Sequence, residues 1–402
     1  MRQYIYIGIT LIIGLQFSGC DILIPGNTSP QDVNQAIRSF GTGDNETGEY
    51  IINTEDGGYL LAGNSIPSGE QNGYYIVKVN EAGLTEWTNI WENPSEDVAV
   101  SKIVTNNDNE LFLLGTINAN THVPEIVYAD KNGSIIKTIS IPASVSSNAA
   151  DFLELPDEQH FIVLSDAVDA SLITVSLLDL ETDEIYWSKE YKYDNASINA
   201  VSLFDVVNGN YVITGTVTDN TTGISQILML EIDQSGGEVN VNFLENSVVV
   251  SDFSVLSNGN YLVLTNPCSD CYDGYKLYDV AQDFSSSTLL YQRENIFGTH
   301  VECLGDDDIV ITGTELVSSN ADSITYSRYS IFAENIDESG NLLWTNTFET
   351  PNNVSTTRDD ISAGNSVRRK GSTAGYAIIG TYDYFTVTKM LLIQTDEKGT
   401  LK

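Results

Sequence analysis

Positive charge is what this sequence has least of. Its 402 residues carry 18 Lys and Arg against 56 Asp and Glu, a formal net charge of −38 at pH 7. Proteins grip nucleic acid with clustered Lys and Arg, so nucleic acid is excluded as a partner, and docking of a folded face onto anionic lipid is disfavoured for the same reason. Histidine is scarcer still. His122, His160 and His300 lie far apart in the sequence, which argues against a Ser-His-Asp triad or a His-rich metal site. Neither a GxGxxG loop nor a P-loop occurs. Beyond the N-terminal segment no run approaches 18 apolar residues, so the rest of the chain reads as soluble. Core-forming residues, by contrast, are plentiful. Hydrophobic residues are 41% and charged residues 18%, so the acid excess does not imply disorder.

Residues 1–19 read MRQYIYIGITLIIGLQFSG. Arg2 gives a short positive start, Tyr4 to Phe17 an apolar run of signal-peptide length, and Ser18 and Gly19 a small pair before Cys20. The segment resembles a bacterial lipoprotein signal, with Phe17 where Leu is usual, a loosened form common in Bacteroidota. The resemblance implies removal of residues 1–19, lipidation of Cys20, a tether over residues 20–33 and attachment to the outer membrane through the lipid. An exported chain meets oxidising conditions. Cys268 and Cys271 then read first as a local disulfide stiffening one loop, with a metal pair, a redox pair or free thiols as alternatives. Zinc would need a second ligand pair, and only Cys303 is left. Cys303 sits in the apolar run Val301 to Leu304 and reads as a buried free thiol.

The rest of the chain repeats one motif seven times. Asp56-Gly-Gly-Tyr-Leu-Leu-Ala-Gly63 is a turn, an aromatic residue, a short β run and a small residue. Its copies end at Gly115, Ser165, Gly215, Thr265, Gly313 and Gly380, spaced 52, 50, 50, 50, 48 and 67 residues apart. A period near 50 in β-rich sequence points to propeller blades of four strands. A second motif follows each copy. A strand ends in Asp or Asn, two polar residues and a Gly follow, and a Trp comes next in the clearest copies, as in Asn80 to Gly83 and Trp87. The Gly supplies positive φ and the Asx side chain bonds the turn backbone, so each period holds two hairpins, strands A–B and C–D. The fifth copy, around Tyr278 to Asp283, is weaker. The recurrent acids are read as turn formers rather than calcium loops, which would need Asp at alternate positions closed by a bidentate Glu.

The last repeat stops at Lys402, where its outermost strand should begin, while Ala36-Ile-Arg-Ser-Phe40 has the apolar spacing of that strand in other repeats. The expected fold is therefore an all-β, seven-bladed propeller over residues 34–402, four antiparallel strands per blade, closed by an N-terminal strand that removes the open edges. The repeat resembles the DGGY-type propeller repeats of exported Bacteroidota proteins. The element from Asp179 to Trp187 is also similar to the quinoprotein-type repeat of a propeller lipoprotein of outer-membrane assembly, a partial match because most of its tryptophans are missing here.

In such a blade the A–B and C–D turns share one face and the B–C and D–A connections the other. The former are short and stereotyped, and they hold 22 of the acids, which makes that face a solubilising surface. Binding is expected on the variable-loop face. Its candidates are Tyr272 and Tyr275 in the fifth B–C loop and Tyr382, Tyr384 and Phe385 in the seventh, as rings that could stack on sugars. Polar residues near the start of the innermost strands (Asn45, Asp97, Asp151, Asp252, His300 and Asp360) could line the channel mouth, and Ca²⁺ is the one cofactor such carboxylates could take. The expected function is a lipid-anchored binding or scaffold protein with a protein or glycan ligand. The rivals are a glycan-cleaving enzyme using two propeller carboxylates and an outer-membrane assembly component.

Overall fold

Each period supplies four β runs, the middle two almost wholly buried and the outermost largely exposed or half-buried, and each run pairs antiparallel with its neighbour. The computed structural model describes residues 36–402 except 42, 44, 67–71, 93–96, 119–120, 143, 206–208, 269–272, 306–307, 322–323, 350–361, 371–374 and 385–386. It is a seven-bladed β-propeller of four-stranded antiparallel sheets. The innermost strands of blades two to seven are Asp97–Thr105, Ser147–Glu154, Ala196–Asp205, Val249–Val255, Ile296–Cys303 and Ser362–Arg369. In blade one this strand is split into Asn45–Glu46 and Tyr50–Asn53, which both pair with Tyr59–Ile66. Blade seven takes Ile37–Phe40 as its outermost strand, in register with Met390 to Ile393, so the ring closes as the spacing predicts.

The core lies between blades. Seven apolar clusters each span one blade interface, and the one that includes Phe40, Ile51, Tyr59, Ile379 and Leu392 joins blade seven to blade one. Polar hooks add register. The residue after the motif's small residue accepts an N–H from the next blade's inner strand: Asn64 from Val100, Thr116 from Ala149, Thr216 from Val250, Asn266 from Gly298 and Thr381 from Gly48.

The outer turns interlock as well. Asp or Asn at the turn start accepts two backbone N–H groups, as Asn80 does from Ala82 and Leu84 and Asp233 from Ser235 and Gly237. The turn then abuts the preceding blade. A Cβ on Gly133 would lie 3.0 Å from the Trp87 ring, and one on Gly236 2.9 Å from Trp187. Trp91 and Tyr191 donate to the carbonyls of those same glycines, at 2.9 and 2.8 Å. Gly399 meets Trp344 in the same way, whereas Gly83 meets Arg38 and Gly340 meets Leu290.

Candidate functional site

At the axis the seven innermost strands converge, and one shared irregularity decides what they present. Blades two to seven carry a β-bulge in the A–B pairing, at Ser101, Ala150, Val201, Ser251, Thr299 and Asn365, and the split in blade one falls at the same place. A bulge adds one unpaired residue and re-aims the side chains after it. Bulge side chains also tie the ring: Ser101 donates to the Ala149 carbonyl, Thr299 to that of Gly364 and Asn365 to that of Gly48.

The residue after the bulge is Tyr50, Lys102, Asp151, Ser202, Asp252, His300 and Ser366 in blades one to seven. All but Ser366 line a cavity of about 420 Å³, joined by Glu302 and Arg368 two residues further along their strands. Every lining residue lies at the bulge or beyond it, so this cup occupies the half of the channel beside the A–B turns. It does not lie on the side of the variable loops.

The cup is charged, and its charges are engaged. Lys102 Nζ lies 2.6 Å from Asp151 Oδ1 and donates to the Phe152 carbonyl at 3.2 Å. Asp151 Oδ2 accepts from Ser202 Oγ at 3.0 Å and Leu203 N at 2.8 Å. Asp252 Oδ2 accepts from Val301 N at 2.8 Å and lies 2.7 Å from His300 Nδ1. Each of these side chains reaches the backbone of the next blade. Arg368 Nη1 lies 2.6 Å from Glu302 and 2.9 Å from His300 Nε2, and its Nη2 donates to the Tyr50 hydroxyl at 2.8 Å.

Burial opposes charge on His300, but Asp252 and Glu302 outweigh it and push the imidazole up to about 9. In the charged form both ring nitrogens carry protons. The 2.9 Å approach of Arg368 is then a repulsion between donors, offset by Glu302, which bonds Arg368 and lies 3.5 Å from His300 Nε2. Burial likewise opposes Lys102 and Arg368. Asp151 and Tyr50 hold Lys102 above the ordinary lysine range, and Tyr50, Glu302 and Asp252 do so for Arg368. At the rim, burial and the neighbouring Glu158 and Asp157 push Glu154 up to about 7.

Of the residues expected at the channel mouth, Asp151, Asp252 and His300 meet in the cup. Asn45 instead caps a neighbouring strand by accepting from Thr388 N, Asp97 is exposed at a strand start, and Asp360 lies outside the described residues. Two of the expected stacking platforms are corrected. Tyr275 and Tyr382 are 1% and 2% exposed and pack in blade interfaces, with no ring face free for a sugar. Tyr275 opens the strand Tyr275–Val280, and Tyr382 lies in Tyr376–Tyr384, which runs on past Gly380, so both positions already face a neighbouring blade. Tyr272, Phe385, Cys20, Cys271 and the Tyr384 side chain lie outside the described residues. Cys268 is disulfide-bonded. Cys303 is a free thiol, half-buried rather than buried, and lines the cup. On the variable-loop side a smaller cavity of about 210 Å³ lies beside Asn266, Asp273, Lys276 and Arg293. Among the described residues no group of three or more His, Cys, Asp and Glu is placed to hold a metal ion.

Tyr50, Lys102, Glu302 and Arg368 escape sequence reading. For Tyr50 and Lys102 the signal is an offset, and Glu302 and Arg368 lie two residues beyond it in their blades. The residue after the bulge lies 13 or 14 positions before the small residue ending its blade's motif, and that column mixes acid, base, hydroxyl and phenol.

No family model matches the chain, and no curated protein matches it. Solved structures do. The WD40 domain of Neurospora crassa Pan2 is 9% identical, covers 92% of this chain and 97% of its own, and superposes with a TM-score of 0.54. A catalytically inactive virginiamycin B lyase from Staphylococcus aureus, bound to quinupristin, is 10% identical over 89% of this chain and 98% of its own, with a TM-score of 0.53. A polysaccharide lyase, Uly1, is 11% identical over 89% and 92%, also at 0.53. At these identities the likeness shows the propeller fold alone.

Proposed function

We propose that the chain is a lipid-anchored binding protein of the bacterial outer membrane that seats a ligand in the axial cup and performs no covalent chemistry on it. One observation carries the reading. The cup's charged groups are bonded to opposite charges or to the next blade's backbone, which suits recognition by fixed charges better than proton transfer. The anchor rests on the small pair before Cys20. The B–C and D–A loops, of unequal length on a rigid ring, leave the opposite face for a protein or glycan partner. Two measurements test this. Cys20→Ala should move the protein from the membrane fraction to the soluble fraction, and unchanged retention sinks the anchor. Charge-removing substitutions in the cup should weaken ligand binding while loop substitutions leave it intact.

A second reading is favoured by a single contact. The 2.7 Å pair of His300 and Asp252 orients a charged imidazole that can act as a general acid. Under that reading the chain cleaves a glycan in the cup. Depolymerisation by the wild type that His300→Gln abolishes would decide for it.

A further inference from the structure

The cup is not electrically uniform. Around the ring, consecutive blades seven, one and two contribute Arg368, Tyr50 and Lys102, while blades three, five and six contribute Asp151, Asp252 and Glu302, with the charged His300 between the last two. Asp151 and Asp252 have structural duties, each holding a backbone N–H of the next blade. Among the described residues the cations keep donors in reserve. Lys102 gives two of its three N–H groups to protein acceptors, and Arg368 Nη2 gives one of two to Tyr50. Two fixed cations flanking a phenol hydroxyl form a seat for a carboxylate.

The surroundings restrict what can bring that carboxylate. The whole chain carries −38, and the A–B turns beside the cup hold Asp157 and Glu158, close enough to perturb Glu154. That field repels a polyanion such as a uronate chain. A ligand whose own positive charge offsets its carboxylate escapes the repulsion, and Asp252, on blade five and remote from Tyr50 and Lys102, is the acid placed to receive it. The cavity of about 420 Å³ suits a small molecule, and Leu153, Phe204 and Val255 supply an apolar wall.

We propose that the cup binds the zwitterion of an apolar amino acid or dipeptide, its carboxylate between Lys102, Tyr50 and Arg368 and its ammonium toward Asp252. This rests on the reading of the cup as the ligand seat. The test is calorimetric titration of the mature protein with L-phenylalanine, N-acetyl-phenylalanine, phenylalaninamide and trigalacturonate. Phenylalanine should bind saturably, and each blocked form should bind at least about tenfold more weakly, as expected for loss of a charged hydrogen bond. Arg368→Gln should weaken binding similarly. Tyr50→Phe, which keeps the ring and its packing, should weaken it less, and an unchanged melting temperature shows that the variant is folded. Equal binding of the blocked forms, or no saturable binding of phenylalanine at millimolar concentrations, overturns the proposal. If trigalacturonate binds instead and Arg368→Gln abolishes it, the seat stands and the zwitterion assignment falls. If phenylalanine binds but neither substitution affects it, the seat itself falls.

Discussion

His300 is where burial and charge compete most directly. Asp252 on the preceding blade, Glu302 on its own strand, and Arg368 and Tyr50 on the following blades all face it. Its folded value of about 9 lies above the ordinary 6.5. The stability it contributes is therefore fully present below pH 6.5 and is lost as pH rises through about 9. A shift of that size sets an upper bound on the order of 3 kcal/mol, which the approach of Arg368 reduces. Urea unfolding of the wild type and of His300→Gln at about pH 6 and about pH 9.5 should show their difference shrinking at the higher pH. An unchanged difference would mean that the imidazole is neutral throughout. Cys303, lining the same cup, has a thiol pushed up by burial. It should react with iodoacetamide at neutral pH several-fold more slowly than a free thiol in solution, as followed by intact mass.

The turn acids and the turn glycines work together at the scale of the hairpin. Asp233 is held below the usual carboxylate range by the Ser235 hydroxyl and the Gly237 and Ser235 backbone N–H groups, so its charge serves the turn that places Gly236. That glycine has φ +75°, and a Cβ there would lie 2.7 Å from Lys189 and 2.9 Å from Trp187. Gly236→Ala combines left-handed strain, about 1–2 kcal/mol, with a clash against the preceding blade. The expected loss is roughly 2–3 kcal/mol of unfolding free energy. Trp187→Ala removes part of the clash and none of the strain. The double variant should therefore be less destabilised than the sum of the single changes, and strict additivity would argue that the interlock is not formed. The bulge is the other hairpin-scale device. It turns the residue after it, itself paired with the next strand, toward the channel in blades two to six.

At the scale of the ring, the repeats made the architecture legible, because turn glycines and small residues meet the same steric demand in most blades. The fifth copy reads weakly for a physical reason. Phe284 takes the positive-φ position at 58° and buries its ring completely in the interface of blades four and five, so packing replaces the glycine signal. The cup was only partly legible. Asp151, Asp252 and His300 stood out as polar residues near the start of the innermost strands, whereas the bulge that aligns them with Lys102 adds one residue and disguises the column. Closure is the property of the ring most open to test. Ala36, Ile37 and Phe40 are 2%, 7% and 9% exposed, and burying the two larger side chains contributes about 1.5–3 kcal/mol each. Deleting residues 33–42 should lower stability by roughly 5 kcal/mol and the melting temperature by roughly 5–10 °C, because the strand that ends at Gln394 loses its partner and becomes an open edge. An unchanged melting curve would refute closure by this strand. Appending residues 33–42 after Lys402, so that the same strand arrives from the other terminus, should restore most of the loss, since an antiparallel ladder depends on register and not on which end of the chain supplies it.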